Sequence, residues 1–411
     1  MLKHIFRRNK SHTHPLLRGR CVRRAQFLIA MSVLTNATIT AAAAAQTPVM
    51  FSAALPRGAH AVGFHREWIL DSTRGWAFAD SVPAAQRHQG RPLRLDVWYP
   101  AGSAASCRPA TLRDYLFPTP PDRFFASSNR WLVRADSGSY ANFASGMHIP
   151  LDSMLALRSM SCMDAAPAGG SYPLIVYSGG WYNRSPDNVG LGEYLASYGF
   201  VVVEVPLLGA GLWTHDFSYS TEALDTQERD MEAALRAVSS HGWVDRTHVA
   251  VMGYSGGGII ALLTGLRNPN VRGVIGLDPS YMGNPDLIFG APYFGLDRSK
   301  APLLTLRSGN AAFANRVRSA VIDSLRHIDR YTADVGNGSH GDFGDDVLIE
   351  LAARLQRPAE PRSTAEGIAA YRAMANAIRL FANATLKGNA VAIDSMLASD
   401  TSLRWIRQRR Q

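Results

Sequence analysis

The sequence predicts an α/β protein: a mostly parallel central sheet with helices on both faces. Three observations predict it. From about residue 172 onward, runs of five to seven apolar residues alternate with helical patterns. A strand buried on both faces reads as such an unbroken run, because it has no polar side to alternate with. The stretch at 247–263, THVAVMGYSGGGIIALL, joins one of these strands to an apolar helix through Gly253-Tyr254-Ser255-Gly256-Gly257, a sharp turn for which Gly253 and Gly257 leave room. With 46% hydrophobic and 18% charged residues among 411, the chain can also bury a sizeable core.

Residues 1–45 stand apart. They carry Lys3, Arg7, Arg8, Lys10, Arg18, Arg20, Arg23 and Arg24 and no acid, then an apolar stretch from Phe27 to about Ile39, then Ala41 to Ala45. Basic, apolar and small-residue regions in that order predict a cleaved export signal over 1–45, and hence a periplasmic or secreted protein. The formal charge of +10 belongs mostly to this leader; without it 35 bases face 33 acids. No nucleic-acid partner is expected on that balance. No transmembrane segment is expected once the signal is removed. Cys21 leaves with the leader, and Cys107 and Cys162 remain. One disulfide and two buried thiols both fit them. No Cys or His pair has zinc spacing, and no metal or organic cofactor is implied.

The rest reads as a domain over 46–390 and a tail over 391–411. Thr47 to about Ala61 is an irregular lead-in, and Leu93 to Tyr99 alternates and stops at Pro100, a strand signal. An insert over about 101–170 follows, rich in Pro, Ser and aromatics (Tyr115, Phe117, Phe124, Phe125, Trp131); Pro118, Pro120 and Pro121 argue against a long helix there. Strands are expected at 173–177, 200–205, 271–277, 302–306 and 331–335. Helices are expected at 188–198, 221–239, 313–327 and 365–386. The basic turn with Arg404, Arg407, Arg409 and Arg410 reads as a solvated tail.

Ser255, at the tip of the Gly-rich turn, has the placement of a nucleophile. A serine hydroxyl needs a base to take its proton, and where serine sits on such an elbow the acid and the histidine follow it in the chain. His327 and His340 follow. His327 closes a predicted helix, whereas His340 lies in a Gly-rich loop after a predicted strand, at the edge where ligands bind. His340 is therefore the candidate base. Asp278 ends the strand after the elbow helix and is the candidate acid, with Asp342 and Asp345 as competitors. The backbone N–H of Gly256 and that of Trp181, after Gly179-Gly180, are the candidate oxyanion donors. The stretches 207–219 and 281–296, aromatic or apolar and following strand ends, are expected to line an acyl pocket.

From Arg91 to about Lys387 the chain resembles α/β-hydrolases of the plasma-type platelet-activating factor acetylhydrolase group and the dienelactone-hydrolase-like bacterial esterases. The resemblance rests on LRLDVWYPA at 93–101, TLRDYL at 111–116, YPLIVYSGGW at 172–181, LASYGFVVVEV at 195–205, GYSGGG at 253–258, GLDPS at 276–280 and GSHGDFGD at 338–345. It implies an α/β-hydrolase fold and a serine esterase acting on a small-molecule or lipid ester. It also implies Asp278 as acid, His340 as base and an oxyanion amide at Trp181. Two positions depart from that group: Tyr254 stands where it has His before the nucleophile, and Gly179-Gly180 where it has His-Gly. A peptidase or acyltransferase with the same triad, or a non-catalytic binding protein on the same fold, are the alternatives.

Overall fold

Apolar strands joined one to the next by helices run parallel, because each helical crossover returns the chain to the same edge and covers a face of the sheet. The computed structural model describes residues 51–74, 90–102, 107–181, 185–209, 219–291, 294, 299–309, 319–336, 338–356, 363–388, 393–398 and 403–411. The predicted leader, most of 207–219, and residues 310–318 lie outside them. The strands are β1 (Ala61–Asp71), β2 (Arg91–Ala101), β3 (Arg108–Thr111), β4 (Arg158–Met163), β5 (Tyr172–Ser178), β6 (Val201–Val205), β7 (Val244–Tyr254), β8 (Val271–Leu277), β9 (Leu303–Ser308), β10 (Arg330–Val335) and β11 (Arg404–Gln408). They form one sheet in the order β11-β10-β9-β8-β7-β5-β6-β2-β1-β4-β3. The stretch from β10 to β6 is parallel throughout, and β2 joins β6 antiparallel.

Register decides where chemistry can occur. Ser178 of β5 pairs with Gly253 of β7, Leu277 of β8 with Leu306 of β9, and Ser308 of β9 with Val335 of β10. The carboxyl ends of β5, β7, β8, β9 and β10 therefore come out at one edge, where open α/β sheets bind ligands. On one face, Leu195 and the helix Ser363–Leu386, through Tyr371, Ile378 and Phe381, pack on Ile175, Met252 and Ile275. On the other, Leu224, Met231, Ile259 and Leu263 pack on Val176, Val251 and Val274.

The predicted helix at 188–198 is observed as Val189–Ser197. The one at 221–239 is Thr221–Val238, capped by the Ser220 side chain accepting from the Ala223 N–H. The strands predicted between 172 and 335 all form, within two residues at each end. Two readings are corrected, and one strand was not predicted. The insert holds a 24-residue helix, Arg123–Gly146. Pro118, Pro120 and Pro121 only precede it, and Asp122 accepts from the Phe125 N–H at 3.0 Å to start it. Its many Ser, Asn and Gly residues are weak helix formers, so burial of Leu132, Tyr140 and Ala144 stabilises it. The lead-in runs into an eleven-residue strand, β1, paired along its whole length with β2. The tail is not free: β11 pairs antiparallel with β10 from Arg330↔Gln408 to Asp334↔Arg404, with Arg404 exposed and Arg407 paired to Asp394.

Cys107 and Cys162 form a disulfide. It joins β3 to β4 where Pro109 opposes Cys162 and closes the insert at the sheet edge. Among the described residues, no helix is long and apolar enough to cross a membrane.

Candidate active site

Ser255 stands between the end of β7 and the helix Gly256–Arg267, at φ +52° and ψ −117°. A residue with a Cβ rarely adopts this conformation, which costs on the order of 1–3 kcal/mol and persists only where its surroundings enforce it. They do. The Ser255 N–H donates to Leu277 O at 2.9 Å, and the Ser280 N–H donates to Ser255 O at 2.8 Å. Two glycines make room for the turn: a Cβ on Gly253 would lie 2.0 Å from Gly257 O, and one on Gly257 would lie 2.2 Å from Ser178 O. The elbow thus presses directly on the end of β5.

The structure brings Ser255, His340 and Asp278 together. His340 Nε2 is 3.0 Å from Ser255 Oγ, and His340 Nδ1 is 2.6 Å from Asp278 Oδ2. A carboxylate on Nδ1 holds the ring proton there and leaves the Nε2 lone pair to face the serine. Asp278 is fixed in turn. Its Oδ1 accepts from the Ser308 N–H at 2.8 Å, and its own N–H donates to Leu306 O at 2.7 Å, with φ at +38°. Tyr254 OH donates to the His340 carbonyl at 2.8 Å, and its ring lies against the imidazole with centroids 5.0 Å apart. The residue before the nucleophile thereby supports the histidine loop.

The competitors are engaged elsewhere. His327 lies in the turn leading into β10, at the opposite end of that strand from His340. Asp342 closes a capping box, accepting from the Ser339 N–H at 2.6 Å and the Ser339 hydroxyl at 2.9 Å. Asp345 is buried and accepts from the Gly190 N–H and from Tyr371 OH, both at 3.0 Å.

At the end of β5, the Gly180 N–H donates to Asp187 Oδ2 at 2.7 Å. The next amide in the turn belongs to Trp181, and a Cβ on Gly256 would come within 3.2 Å of the Trp181 Cβ. The Gly256 and Trp181 backbones therefore converge beside Ser255. Tyr219 packs edge-on against Trp181, with ring centroids 5.0 Å apart, and its hydroxyl donates to Ser280 Oγ at 3.3 Å. Ser280 Oγ is itself 3.5 Å from Ser255 Oγ. Ser280 and Asp187 are the functional candidates that sequence reasoning missed. Ser280 lies inside the GLDPS stretch, but nothing in the sequence marks its hydroxyl as facing the nucleophile. One pocket expectation is corrected: Tyr281 is fully buried with its hydroxyl bonded to Thr305 at 2.7 Å, so it belongs to the core.

Beneath the turn lies a buried acidic network. Asp187 also accepts from Tyr177 OH at 2.6 Å, and its N–H donates to Glu204 Oε1 at 2.9 Å. Asn188 Nδ2 donates to Phe343 O, and the Asp345 N–H to Asp187 O, which couples the β5 turn to the His340 loop. Burial, reinforced by neighbouring Asp187 and Asp96, pushes the Glu204 carboxyl well above the ordinary carboxylate range. Burial likewise raises Asp345 to about 8, against the lowering effect of its bonds from Tyr371 and Gly190. The folded state then keeps a proton that the unfolded chain releases above its ordinary pKa of about 4. The stabilisation is complete below that value and is lost as pH rises through about 8. Asp345→Asn is expected to flatten the fall in melting temperature between pH 5 and 8, removing a slope of up to about 1.4 kcal/mol per pH unit. Melts followed by circular dichroism across that range test this; identical slopes in the two proteins would refute it.

The model of the prolyl oligopeptidase family matches residues 192–275, a span that includes Ser255 and stops short of Asp278. Cutinase est2 of Thermobifida alba is 28% identical over 136 residues, covering 30% of this chain and 42% of that protein. Cutinase 2 of Thermobifida cellulosilytica is 30% identical over 150 residues, covering 33% and 51%. The chain thus spans about half the length, or less, of the curated relatives it matches. A solved ferulic acid esterase from Streptomyces cinnamoneus superposes with a TM-score of 0.59 at 17% identity, over 88% of this chain and all of that one. The chain has the α/β-hydrolase fold.

Proposed function

We propose that this chain is a serine carboxylic-ester hydrolase in which Ser255, His340 and Asp278 form the catalytic triad. The continuous hydrogen-bonded line from Ser255 Oγ through both nitrogens of His340 to Asp278, at 3.0 and 2.6 Å, carries this reading. Ser255 attacks the ester carbonyl while its proton passes to His340 Nε2, and Asp278 stabilises the imidazolium. The carbonyl oxygen, now negative, takes hydrogen bonds from the Trp181 and Gly256 N–H groups. His340 then gives the proton to the leaving alcohol. A water, deprotonated by the same nitrogen, releases the acid and restores Ser255. Trp181, Leu207 and Tyr219, which all lie against Gly256, supply apolar surface at the elbow, which favours an apolar acyl group.

The names of the relatives, cutinase and ferulic acid esterase, favour an ester over an amide bond. The match to the prolyl oligopeptidase family is the observation behind a second reading, a peptidase with the same triad. The finer proposal is an ester with an apolar acyl group; Tyr254 and Gly179-Gly180 depart from the platelet-activating factor acetylhydrolases and argue against carrying over that group's own substrate. Export is part of the reading. The leader at 1–45 has the make-up of a signal, and a disulfide such as Cys107–Cys162 persists in oxidising compartments.

Incubation of the folded protein with a fluorophosphonate probe is expected to give one labelled peptide, carrying the adduct on Ser255. Absence of labelling, or labelling on another serine, would overturn the assignment.

A further inference from the structure

Among the described residues, one cluster far from the elbow has the composition of a metal site. His65 and Glu67 are two apart on β1, so their side chains leave the same face of the sheet. His241 reaches them from the turn between the helix Thr221–Val238 and β7. His65 Nε2 and His241 Nε2 each lie 2.7 Å from the same oxygen, Glu67 Oε1. The three donor atoms lie within 4.8 Å of one another.

The imidazoles are held in place by aromatic walls. Trp243 stacks on His241 with centroids 4.9 Å apart at 13°, and meets His65 edge-on at 6.0 Å. Tyr99 packs on His65 at 5.0 Å. The side chains of His65, Glu67 and His241 are 21%, 17% and 33% exposed, so the cluster opens to solvent on one side.

We infer that His65, Glu67 and His241 bind a divalent transition-metal ion of the zinc type, with water completing the coordination. Two imidazole nitrogens and one carboxylate form a borderline donor set suited to Zn²⁺ and its neighbours and poor for Mg²⁺ or Ca²⁺. Without the ion, both Nε2 atoms bond to one carboxylate oxygen. With it, each ring carries its proton on Nδ1, and its Nε2 lone pair turns from the oxygen to the metal. Ligand–metal distances near 2.1 Å in a tetrahedral site place adjacent donors about 3.4 Å apart, so each ring needs to retreat from the carboxylate oxygen, now 2.7 Å away, by less than about 1 Å. The ion ties β1 to the turn that opens β7, the strand whose far end carries Ser255. Its role is structural, and it takes no part in the proposed ester chemistry.

Calorimetric titration of the full chain, free of any polyhistidine tag and stripped with chelator, with Zn²⁺ tests the inference. One equivalent is expected to bind with a Kd of about 10 µM or tighter and to raise the melting temperature. His241→Ala and the isosteric Glu67→Gln are expected to weaken binding by at least roughly ten- to hundredfold. His248→Ala, which removes the separate pair His248 Nδ1 to Asp245 at 2.6 Å, leaves binding unchanged. Absence of a stoichiometric site in the wild type overturns the inference, as does wild-type affinity in both ligand variants. Neither result bears on Ser255.

Discussion

Replacing Ser255 by Ala is expected to lower hydrolysis of short p-nitrophenyl esters by roughly four to six orders of magnitude, with thermal unfolding unchanged. The large effect follows from the part Ser255 Oγ plays: its bond to His340 Nε2 is the link that turns a weak nucleophile into a competent one. The small structural effect follows from geometry. Alanine keeps the same Cβ at φ +52°, so it carries the same backbone strain, and the elbow is held by backbone bonds to Leu277 and Ser280 that the substitution does not touch. Steady-state kinetics together with a melt followed by circular dichroism decide the matter. Activity within about tenfold of wild type would place the nucleophile elsewhere, because losing a triad serine leaves only the binding and oxyanion contributions.

The second large effect is expected at the acid. Asp278→Asn should reduce kcat by roughly 10⁴-fold, because an amide cannot stabilise the imidazolium and favours the wrong tautomer. The amide also faces the Ser308 N–H, which now donates to a carboxylate oxygen at 2.8 Å. Asp342→Asn is the paired comparison. Its carboxylate closes the cap on Ser339 two residues from His340, so its loss should cost about 1 kcal/mol of stability and less than about tenfold in kcat. Kinetics of both variants on one ester provide the test. A larger loss in Asp342→Asn would reassign the acid.

The alternation of apolar strands and helices between 172 and 386 is legible because burial on both faces leaves no polar positions to blur the pattern. Glycines are legible where a close approach excludes a side chain, as at Gly253 and Gly257 against Gly257 O and Ser178 O. Order along the chain and position at strand ends single out Ser255, Asp278 and His340. The 123–146 helix is not legible, because its residues form a helix only when Leu132, Tyr140 and Ala144 find a surface to cover. The pairing of β11 with β10 is equally hidden, since five residues rich in arginine carry no strand signal until a neighbouring edge offers its backbone groups.

By itself the sequence determines the layered α/β architecture, the strained turn at Ser255 and the chain order of its candidate partners, because each follows from local periodicity or from a residue type that only one conformation tolerates. Only the tertiary structure decides what lies within bonding distance across long separations. It joins Cys107 to Cys162, occupies the Gly180 N–H with Asp187, brings Ser280 to the nucleophile and gathers His65, Glu67 and His241 around one point. These contacts are fixed by how strands from distant parts of the chain align in one sheet, and spacing along the sequence holds no trace of that alignment.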